Sequence, residues 1–353
     1  MSDLTPTWPL LTARLLRGED LEAADTAWAM HEVMEGAAAS VPLAGFLIAL
    51  AAKGVSAPEL SGLADAMVDH AAPLDVDRHA VDIVGTGGDL AQTVNISTMS
   101  SVVIAASGRR VVKHGNRASS SRSGSADVLE ALGVKLDLPV TAVARMAEQI
   151  GITFAFAQVF HPSMRFAAEA RKGLGVPTVF NVLGPITNPG RPLAGAVGVA
   201  DVTMAPIVAD VFAGRGTSAL VFRGQDGLDE LTVAAPSDVW EVRGGTVHRH
   251  VLDPTELLGV ERSPISSLRG GDAEQNADVA RRIFAGQAGP VRDAVQINTA
   301  AGLVAHDGIG AADDGAGFEE RFRTAFEEAG EVLDSGTPAR LLDRWASASS
   351  TGE

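Results

Sequence analysis

The chain has 353 residues, which is enough for two domains with substantial cores. Its 28 Lys and Arg against 44 Asp and Glu give a formal charge of −16, which argues against a general nucleic-acid-binding or anionic-membrane surface. The absence of Cys excludes disulfides, thiolate nucleophiles and Cys-ligated metal centres, and fits a cytoplasmic protein.

Residues 9–72 carry only helical patterns and predict a small all-helical domain. The first helix is expected at residues 10–16, and Asp20 is placed to cap the second. The third, at residues 41–52, is too short to span a bilayer. Ser56-Ala57-Pro58-Glu59 is a capping-box pattern that predicts the start of a fourth. No basic segment followed by an apolar run precedes them, so no signal peptide is expected.

From about residue 80, short apolar strands alternate with helices, which predicts an α/β domain with a central, mostly parallel sheet flanked by helices. Strands are expected at residues 80–84, 110–112, 152–156, 193–199 and 219–222, with a hairpin over 238–251 that turns at Gly244-Gly245. Helices are expected at residues 97–107, 125–132, 273–284, 291–304, 318–333 and 339–345. The composition of the tail after Ser347 predicts disorder, and residues 184–190 predict a rigid loop, a candidate connection between the lobes.

The stretch from Leu90 to Ala126 contains no Asp or Glu, although the chain as a whole is acidic. It combines glycines and many Ser and Thr with five cations, Arg109, Arg110, Lys113, Arg117 and Arg122. Backbone N–H groups, hydroxyls and positive charge are the groups that bind phosphate. An acid-rich protein with one such stretch is expected to bind a phosphorylated small molecule there.

The turn Gly85-Thr86-Gly87-Gly88-Asp89 leads into this stretch after the first predicted strand. Glycine lets backbone N–H groups approach an anion, but a plain tight turn also explains the motif when it is taken alone. The turn matches neither the Walker A loop nor the dinucleotide fingerprint. Asn95-Ile96-Ser97-Thr98 opens the next helix, where Ser97 and Thr98 can act as caps, as phosphate or metal ligands, or as both.

The segment Lys113-His114-Gly115-Asn116-Arg117-Ala118-Ser119-Ser120-Ser121 follows the second predicted strand, and no acidic partner is expected near it. It is interpreted as a phosphate-binding loop, with a solvated basic loop as the alternative. Asp226-Gly227-Leu228-Asp229-Glu230 follows the strand at 219–222. Adjacent carboxylates repel each other unless a cation neutralises them, and oxygen ligands favour Mg²⁺. An exposed acidic turn is the alternative there.

One helix is predicted to carry His161, Met164, Arg165, Arg171 and Lys172, with positions 161, 164, 165 and 171 sharing a broad face. Arg171 offers a planar fork for a carboxylate. His161 can equally be an N-cap or a surface histidine, and the remaining cations can simply solvate the helix.

Together and in this order, these motifs closely resemble those of the anthranilate phosphoribosyltransferases, which catalyse the second step of tryptophan biosynthesis. The resemblance covers most of the chain and rests on residues 85–89, 95–98, 113–121, 124–133, 161–171, 181–189 and 227–230. It implies a small helical domain at 1–75, with a contribution from about 162–192, and an α/β domain at 76–353. It also implies a homodimer formed through the small domains, anthranilate and phosphoribosyl pyrophosphate (PRPP) as substrates, and two Mg²⁺ ions per active site.

The resemblance also implies three groups of site residues. PRPP would be bound by Gly85, Gly88, Asp89, Thr93, Asn95, Ile96, Ser97, Thr98, Lys113, His114, Gly115, Asn116, Arg117, Ala118, Ser119, Ser120, Ser121 and Ser125. Anthranilate would be held by Gly85, Asn116, His161 and Arg171. Ser97, Asp229 and Glu230 would serve the magnesium sites.

The sequence departs from the usual family pattern at two positions. Leu90 stands where a third glycine is expected after Gly-Gly-Asp, and its side chain restricts φ and stiffens the loop. Ser119 replaces a usual Ala and adds a hydroxyl. Neither change affects a residue of the implied magnesium sites.

Two other functions fit parts of this pattern. A pyrimidine-nucleoside phosphorylase has a similar fold and a phosphate site, but it needs no obligatory divalent ion, and Asp229-Glu230 argues against it. A relative that has lost transferase activity and binds nucleic acid should have a basic surface, which the charge of −16 opposes.

Overall fold

The structure is a computed structural model that describes residues 5–118, 121–312 and 317–351. The predicted Ser119 and Ser120 therefore lie outside the described residues. The N-terminal domain is a helical bundle made of α1 (Trp8–Leu16), α2 (Ala23–Met34), α3 (Ser40–Lys53) and α4 (Ala57–Asp69).

The ends of these helices follow local hydrogen bonds. At the predicted capping box, the Glu59 carboxylate accepts from the Ser56 backbone N–H at 2.7 Å, and it also accepts from Leu21 N at 2.9 Å. The prediction that Asp20 caps the second helix is wrong. Its carboxylate pairs with Lys53 Nζ at 2.5 Å, and α2 begins three residues later, after Glu22.

The larger domain is built on a sheet of seven strands within the described residues, in the order β3-β2-β1-β4-β5-β6-β7. Their bounds are β1 (Val81–Gly85), β2 (Val111–Gly115), β3 (Ile152–Phe156), β4 (Ala194–Gly198), β5 (Ser218–Gly224), β6 (Ser237–Arg243) and β7 (Thr246–Leu252). The pairs among β1 to β5 are parallel, while β6 and β7 form the predicted antiparallel hairpin. The predicted class, a helical domain with a mostly parallel α/β domain, is confirmed.

The strand order reverses between β1 and β4. The chain runs from β1 outward to β2 and β3, then returns to β4 on the other side of β1 and continues to β5. Gly85 and Gly198 are paired at the carboxyl ends of β1 and β4. In open α/β sheets, ligands bind at the carboxyl edge where the strand order reverses.

The remaining α-helices of the described residues follow in chain order. They are α5 (Ile96–Ala106), α6 (Ser125–Ala131), α7 (Val140–Gln149), α8 (Ala157–Phe160), α9 (Ala168–Leu174), α10 (Phe180–Leu183), α11 (Met204–Gly214), α12 (Pro254–Leu258), α13 (Ala273–Phe284), α14 (Pro290–Asp307), α15 (Phe318–Asp334) and α16 (Thr337–Thr351). Among the helices of the described residues, none is both long and apolar enough to cross a membrane.

Three local predictions differ from the structure. The tail after Ser347 is helical to Thr351, because Ser349 is buried and its Oγ accepts from Lys135 N at 2.9 Å. Of the helices longer than eight residues, α7 and α11 were not predicted. The single helix predicted over His161 to Lys172 is a 3₁₀ helix at Pro162–Ala167 followed by α9.

Candidate active site

The glycine turn after β1 lies against the acidic segment that follows β5. Gly87 N donates to Asp229 Oδ2 at 2.6 Å, and a Cβ on Gly85 would lie only 2.1 Å from the same oxygen. A Cβ on Gly198 would lie 1.6 Å from the Asp229 backbone oxygen. The turn itself uses glycine conformations, with φ of +71° at Gly87 and +88° at Gly88. Glycine therefore permits the contact that joins two motifs 142 residues apart.

The neighbouring carboxylate, Glu230, reaches the first turn of α5. Its Oε1 accepts from Ser97 N at 3.2 Å, and Ser97 Oγ accepts from Lys113 Nζ at 3.3 Å. Lys113 is fully buried and also donates to Ile83 O. The Thr98 hydroxyl is buried in the same turn with no hydrogen-bond partner among the described residues. Buried polar atoms are normally satisfied, so this hydroxyl is available to a ligand.

The charges at this site are held out of water. Burial, with repulsion from Asp89, raises the pKa of Asp229 to about 7. Burial, together with Asp229, raises the pKa of Glu230, whereas burial lowers the pKa of Lys113. Each group alone thus resists ionisation, and a bound ion of opposite charge reverses that tendency. The pattern is typical of a site for charged ligands.

The donor set fits a magnesium ion that is bound together with an anionic ligand. The carboxylates of Asp89, Asp229 and Glu230 and the Ser97 hydroxyl supply oxygen ligands only, as Mg²⁺ prefers. Within the described ranges, no three His, Asp or Glu side chains form a group that could hold a metal unaided. Mg²⁺ commonly keeps water and substrate phosphate oxygens as its other ligands.

The basic segment after β2 has acidic partners that the sequence analysis did not expect. Arg117 pairs with Asp127 at 2.9 Å and Glu130 at 2.6 Å, both on α6. Asp127 also accepts from the backbone N–H groups of Ala118 at 3.0 Å and Gly124 at 2.8 Å. The expectation that this segment lacks acidic partners is therefore wrong, since residues on α6 fix its shape.

The other described residues of this segment that were predicted to bind the donor lie around the same turn. Asn116 is exposed, and its backbone oxygen accepts from Ala126 N at 3.2 Å. Ser121 Oγ donates to Ser123 O at 3.2 Å, and Ser125 begins α6. A Cβ on Gly115 would lie 2.9 Å from the Phe154 ring, so the end of β2 packs closely against β3.

His114 and His161 lie together behind this turn. Their ring centroids are 5.2 Å apart. His114 Nδ1 lies 2.8 Å from Gly184 O, and His161 Nε2 lies 2.9 Å from Thr187 O. Because carbonyl oxygens accept only, these nitrogens carry the protons. Burial, with His161 nearby, lowers the pKa of His114 to about 3, and burial also lowers that of His161.

Arg171 lies apart from these groups, in a cavity of about 420 Å³ beside α9 that Met164 and Asn181 also line. Its guanidinium is 5.2 Å from the Phe180 ring centroid, and burial lowers its pKa. The predicted common face is wrong, because the 3₁₀ helix leaves His161 buried against His114 while Arg165 lies over Phe166. In the described part of the chain, no hydrogen bond or ion pair joins Arg171 to another predicted site residue.

Two buried residues that were not among the predicted site residues, Asp82 and Asn188, hold the strands behind the site in place. Asp82 accepts from His114 N at 3.1 Å and from Asn188 Nδ2 at 2.8 Å. Asn188 Nδ2 also donates to Val112 O at 2.7 Å, so the loop at 184–190 is fastened to β1 and β2. Burial raises the pKa of Asp82 to about 6. The sequence did contain a signal for Asp82, because a carboxylate in the middle of an apolar strand is buried and a buried charge needs partners.

The chain between the glycine turn and α5 is held by residues 269–276, for which the sequence predicted no role in the site. Thr93 forms an antiparallel bridge with Arg269. Asn95, just before α5, accepts from Asn276 Nδ2 at 2.8 Å and donates to Ser123 O at 3.0 Å. Asn95 therefore fixes the start of α5 relative to two other segments.

Comparison with known proteins agrees with this architecture. A family model described as "Glycosyl transferase family, helical bundle domain" matches residues 9–71, and one described as "Glycosyl transferase family, a/b domain" matches residues 77–338. The fold and site thus define a two-domain glycosyl transferase.

Curated relatives narrow this class. An anthranilate phosphoribosyltransferase of Salinispora arenicola (strain CNS-205) is 56% identical over 343 residues, covering 96% of each chain. That of Arthrobacter sp. (strain FB24) is 55% identical over 339 residues, covering 96% of this chain and 95% of the relative. The chain belongs to the anthranilate phosphoribosyltransferase family.

Solved structures share the whole fold. The anthranilate phosphoribosyltransferase of Thermus thermophilus is 40% identical with a TM-score of 0.88, over 96% of this chain and 99% of that one. The enzyme of Saccharomyces cerevisiae, solved in complex with PRPP and Mg, is 26% identical with a TM-score of 0.85, over 98% of both chains.

Proposed function

We propose that this chain transfers the phosphoribosyl group of PRPP to the amine of anthranilate, giving N-(5-phosphoribosyl)anthranilate and pyrophosphate in tryptophan biosynthesis. The observation that carries the proposal is the meeting of Asp229 and Glu230 with the glycine turn and the buried Lys113–Ser97 pair. Family membership adds direct support, because relatives more than 50% identical to this chain are named anthranilate phosphoribosyltransferases.

PRPP binds along the carboxyl edge of β1 and β2. The first turn of α5 offers backbone N–H groups, the dipole of the helix and the unpartnered Thr98 hydroxyl to a phosphate group. Lys113 adds a buried positive charge whose ionised form a phosphate group would stabilise. The donor-binding residues are Gly85, Gly88, Asp89, Thr93, Asn95, Ile96, Ser97, Thr98, Lys113, His114, Gly115, Asn116, Arg117, Ala118, Ser119, Ser120, Ser121 and Ser125.

Ser97, Asp229 and Glu230 would hold the Mg²⁺ ions, of which we propose two, together with the donor. When bound, magnesium neutralises the charge that develops on the leaving pyrophosphate. The raised pKa values of Asp229 and Glu230 support this assignment, since a dication beside them favours their ionised forms.

Anthranilate is held through its carboxylate by Arg171, with Gly85, Asn116 and His161 completing its site. The guanidinium presents a planar fork that is buried in a cavity and has the Phe180 ring beside it. His161 contributes indirectly, by packing against His114, since it is buried and its Nε2 donates to Thr187 O.

The displacement needs no general base. The amine of anthranilate is already neutral near pH 7, so no group must remove a proton before it attacks. The amine attacks the anomeric carbon opposite the departing pyrophosphate, with inversion and an oxocarbenium-like transition state. The residues of the chain act by orienting both substrates and by donating backbone N–H groups to the developing negative charge.

The test is to follow anthranilate fluorescence with PRPP present, first with Mg²⁺ and then with excess chelator. Loss of fluorescence that stops when chelator is added is the expected result. No loss with folded protein and intact substrates would contradict the proposal. Release of free base from thymidine and phosphate would instead identify a nucleoside phosphorylase, and a salt-sensitive shift of DNA or RNA would identify a nucleic-acid-binding relative.

The assembly proposed is a homodimer formed through the helical domain, taken as residues 1–75 with about 162–192. One face of α3 supports it, because Val41 and Ile48 are 82% and 41% exposed and Gly45 lies exposed between them. Leu16 at the end of α1 is 75% exposed. Large contiguous apolar patches on a protein surface mark protein contacts. Sedimentation at micromolar concentration, with Ile48→Glu as the disrupting variant, tests it, and a monomeric wild type would contradict it.

A further inference from the structure

Arg269 and Thr93 form a pair with a defined geometry. Val94 N donates to Leu268 O at 2.9 Å, and Gly270 N donates to Gln92 O at 2.8 Å. These bonds flank the Thr93–Arg269 bridge, which is therefore a non-hydrogen-bonded pair, the kind in which the two side chains lie closest. Val94 and Leu268 are buried in the core. Because side chains alternate along extended chain, Thr93 and Arg269 share the opposite face.

The backbone at Arg269 is held in place from both directions. A Cβ on Gly270 would lie 2.8 Å from Thr93 O, so the two segments pack with no space between them. On the other side, Gly271 N donates to Asn276 Oδ1 at 2.8 Å, and Asn276 in turn donates to Asn95. The position of Arg269 is thus fixed relative to the first turn of α5.

The guanidinium of Arg269 forms no polar contact that would stabilise the described part of the fold. Among the described residues it has no hydrogen bond and no ion pair, and the residue is exposed. Other arginines of this acidic chain do have carboxylate partners, such as Arg117 with Glu130 and Arg215 with Asp65. The acid-free stretch from Leu90 to Ala126, which includes Thr93, supplies no carboxylate on its side. A free cation in that position is available to an anion.

We propose that Arg269 is a further donor-binding residue, whose guanidinium contacts a phosphate group of PRPP beside Thr93 at the start of α5. The inference rests on the proposed function, because it needs the donor to lie along Thr93. Arg269 contributes to donor affinity and leaves the anthranilate site, which lies beside α9, unaffected.

The experiment compares Arg269→Gln, Arg269→Lys and the control Arg323→Gln with the wild type. Arg323, on α15, is also exposed with no partner in the described part of the chain, so its substitution makes the same change in net charge. PRPP binding with Mg²⁺ is measured directly by calorimetry, without anthranilate, and kcat and both KM values are measured separately. Thermal unfolding is recorded for every chain.

In Arg269→Gln, the Kd and KM for PRPP should rise about tenfold or more, the effect of losing one charge-assisted contact. Arg269→Lys should recover part of the affinity, while kcat, the KM for anthranilate and all values for Arg323→Gln stay at wild type. Wild-type PRPP affinity in Arg269→Gln would overturn the inference, and so would an equal loss in Arg323→Gln. A wild-type chain that binds no PRPP would overturn the proposed function itself, a different result from either of these.

Discussion

The donor and acceptor halves of the proposed site are built by different means. In the donor half, Gly85 ends β1 and Lys113 lies two residues before the end of the parallel strand β2, and the Asp229 carboxylate packs closely against Gly85. In the acceptor half, Arg171 lies on a seven-residue helix that follows a 3₁₀ helix, over the ring of Phe180. The sheet determines the first half through main-chain geometry, whereas side-chain packing determines the second.

The two halves also differ in their electrostatics. The donor half buries both signs of charge, so that the pKa of Asp229 is raised and that of Lys113 is lowered. The acceptor half holds a single guanidinium whose pKa burial lowers, with no carboxylate beside it in the described part of the chain. Binding in the donor half should therefore depend on bound ions that neutralise its buried charges. Binding in the acceptor half should depend on the shape of the Arg171 guanidinium. Variants in each half should separate these properties.

The largest effect is expected when Asp229→Asn and Glu230→Gln are combined. The amides keep the size of the side chains but remove the charge that a divalent ion needs, so turnover should fall by about a hundredfold or more. Anthranilate fluorescence decay measured across a magnesium titration checks this. Turnover and magnesium dependence equal to wild type would show that these carboxylates are not metal ligands.

Asp226→Asn is the matched control, because it removes a charge from the same acidic turn. Asp226 accepts from Thr232 Oγ1 at 2.7 Å and Leu228 N at 3.2 Å, and none of its hydrogen bonds among the described residues reaches the glycine turn or α5. Its magnesium dependence should therefore stay that of wild type. A control as inactive as the double variant would indicate a change in the shape of the turn.

A smaller and more selective effect is expected from Arg171→Ala. Loss of the guanidinium should raise the KM for anthranilate about tenfold or more, with a much smaller change in the KM for PRPP. Arg171→Lys keeps the charge without the planar fork, so its KM for anthranilate should lie between those of the wild type and Arg171→Ala. Arg165→Gln, on the neighbouring 3₁₀ helix, is the control. Equal increases in both KM values would remove Arg171 from the acceptor site.

Asp82→Asn tests the support beneath the donor half. The carboxylate accepts two buried hydrogen bonds on different oxygens, and an amide can replace only one, so the variant should lose about 1–3 kcal/mol of unfolding free energy. Burial raises the pKa of Asp82 from 3.8 to about 6 in the folded state. The folded chain therefore holds this proton more tightly, and the stability it contributes is complete below about pH 4 and lost as pH rises through about 6.

The stability deficit of Asp82→Asn should consequently shrink as pH rises from about 4 to 7, because only the wild type carries this titration. Denaturant unfolding at several pH values measures it. Asp137→Asn, which removes one exposed carboxylate, is measured beside it as the control for net charge. A deficit that is constant over this range would mean that Asp82 does not titrate there.

The same division explains what sequence patterns could predict. The strand at 152–156 and the helix at 273–284 match the structure to the residue, because local periodicity and turn residues define both. The glycine turn was identified because its residue types are tied to backbone conformation. The contact of Gly87 with Asp229 has no such local signal, since 142 residues separate them, and only the family resemblance placed both in one site.

Errors occurred where distant contacts override local pattern. The polar tail was assigned to disorder, yet Lys135 N donates to the buried Ser349 hydroxyl and keeps the last turn helical. The helix predicted through His161 to Lys172 is divided because His161 turns inward to His114 and Thr187. Arg117 has its partners ten and thirteen residues away, on a helix whose direction the sequence does not show. In each case the deciding partner lies outside the local window.

The smallest predicted effect concerns Leu90, in the glycine turn of the donor half. Its φ is +61°, where an L side chain costs about 1–2 kcal/mol, and 76% of the residue is exposed, so burial does not offset that cost. Leu90→Gly removes the strain but adds freedom to the unfolded chain, so a net gain in unfolding free energy below about 1 kcal/mol is expected. Leu90→Ala keeps the backbone cost and should unfold like the wild type.

Activity then shows whether this strain serves the donor half. Leu90 lies three residues after Gly87, whose N–H binds Asp229, so a looser turn would weaken that contact and raise the KM for PRPP. If Leu90→Gly is more stable while the KM for PRPP is unchanged, Asp229 and Gly198 hold the turn without help from Leu90. A Leu90→Gly variant less stable than Leu90→Ala would show that the backbone strain at Leu90 is smaller than the freedom that glycine adds to the unfolded chain.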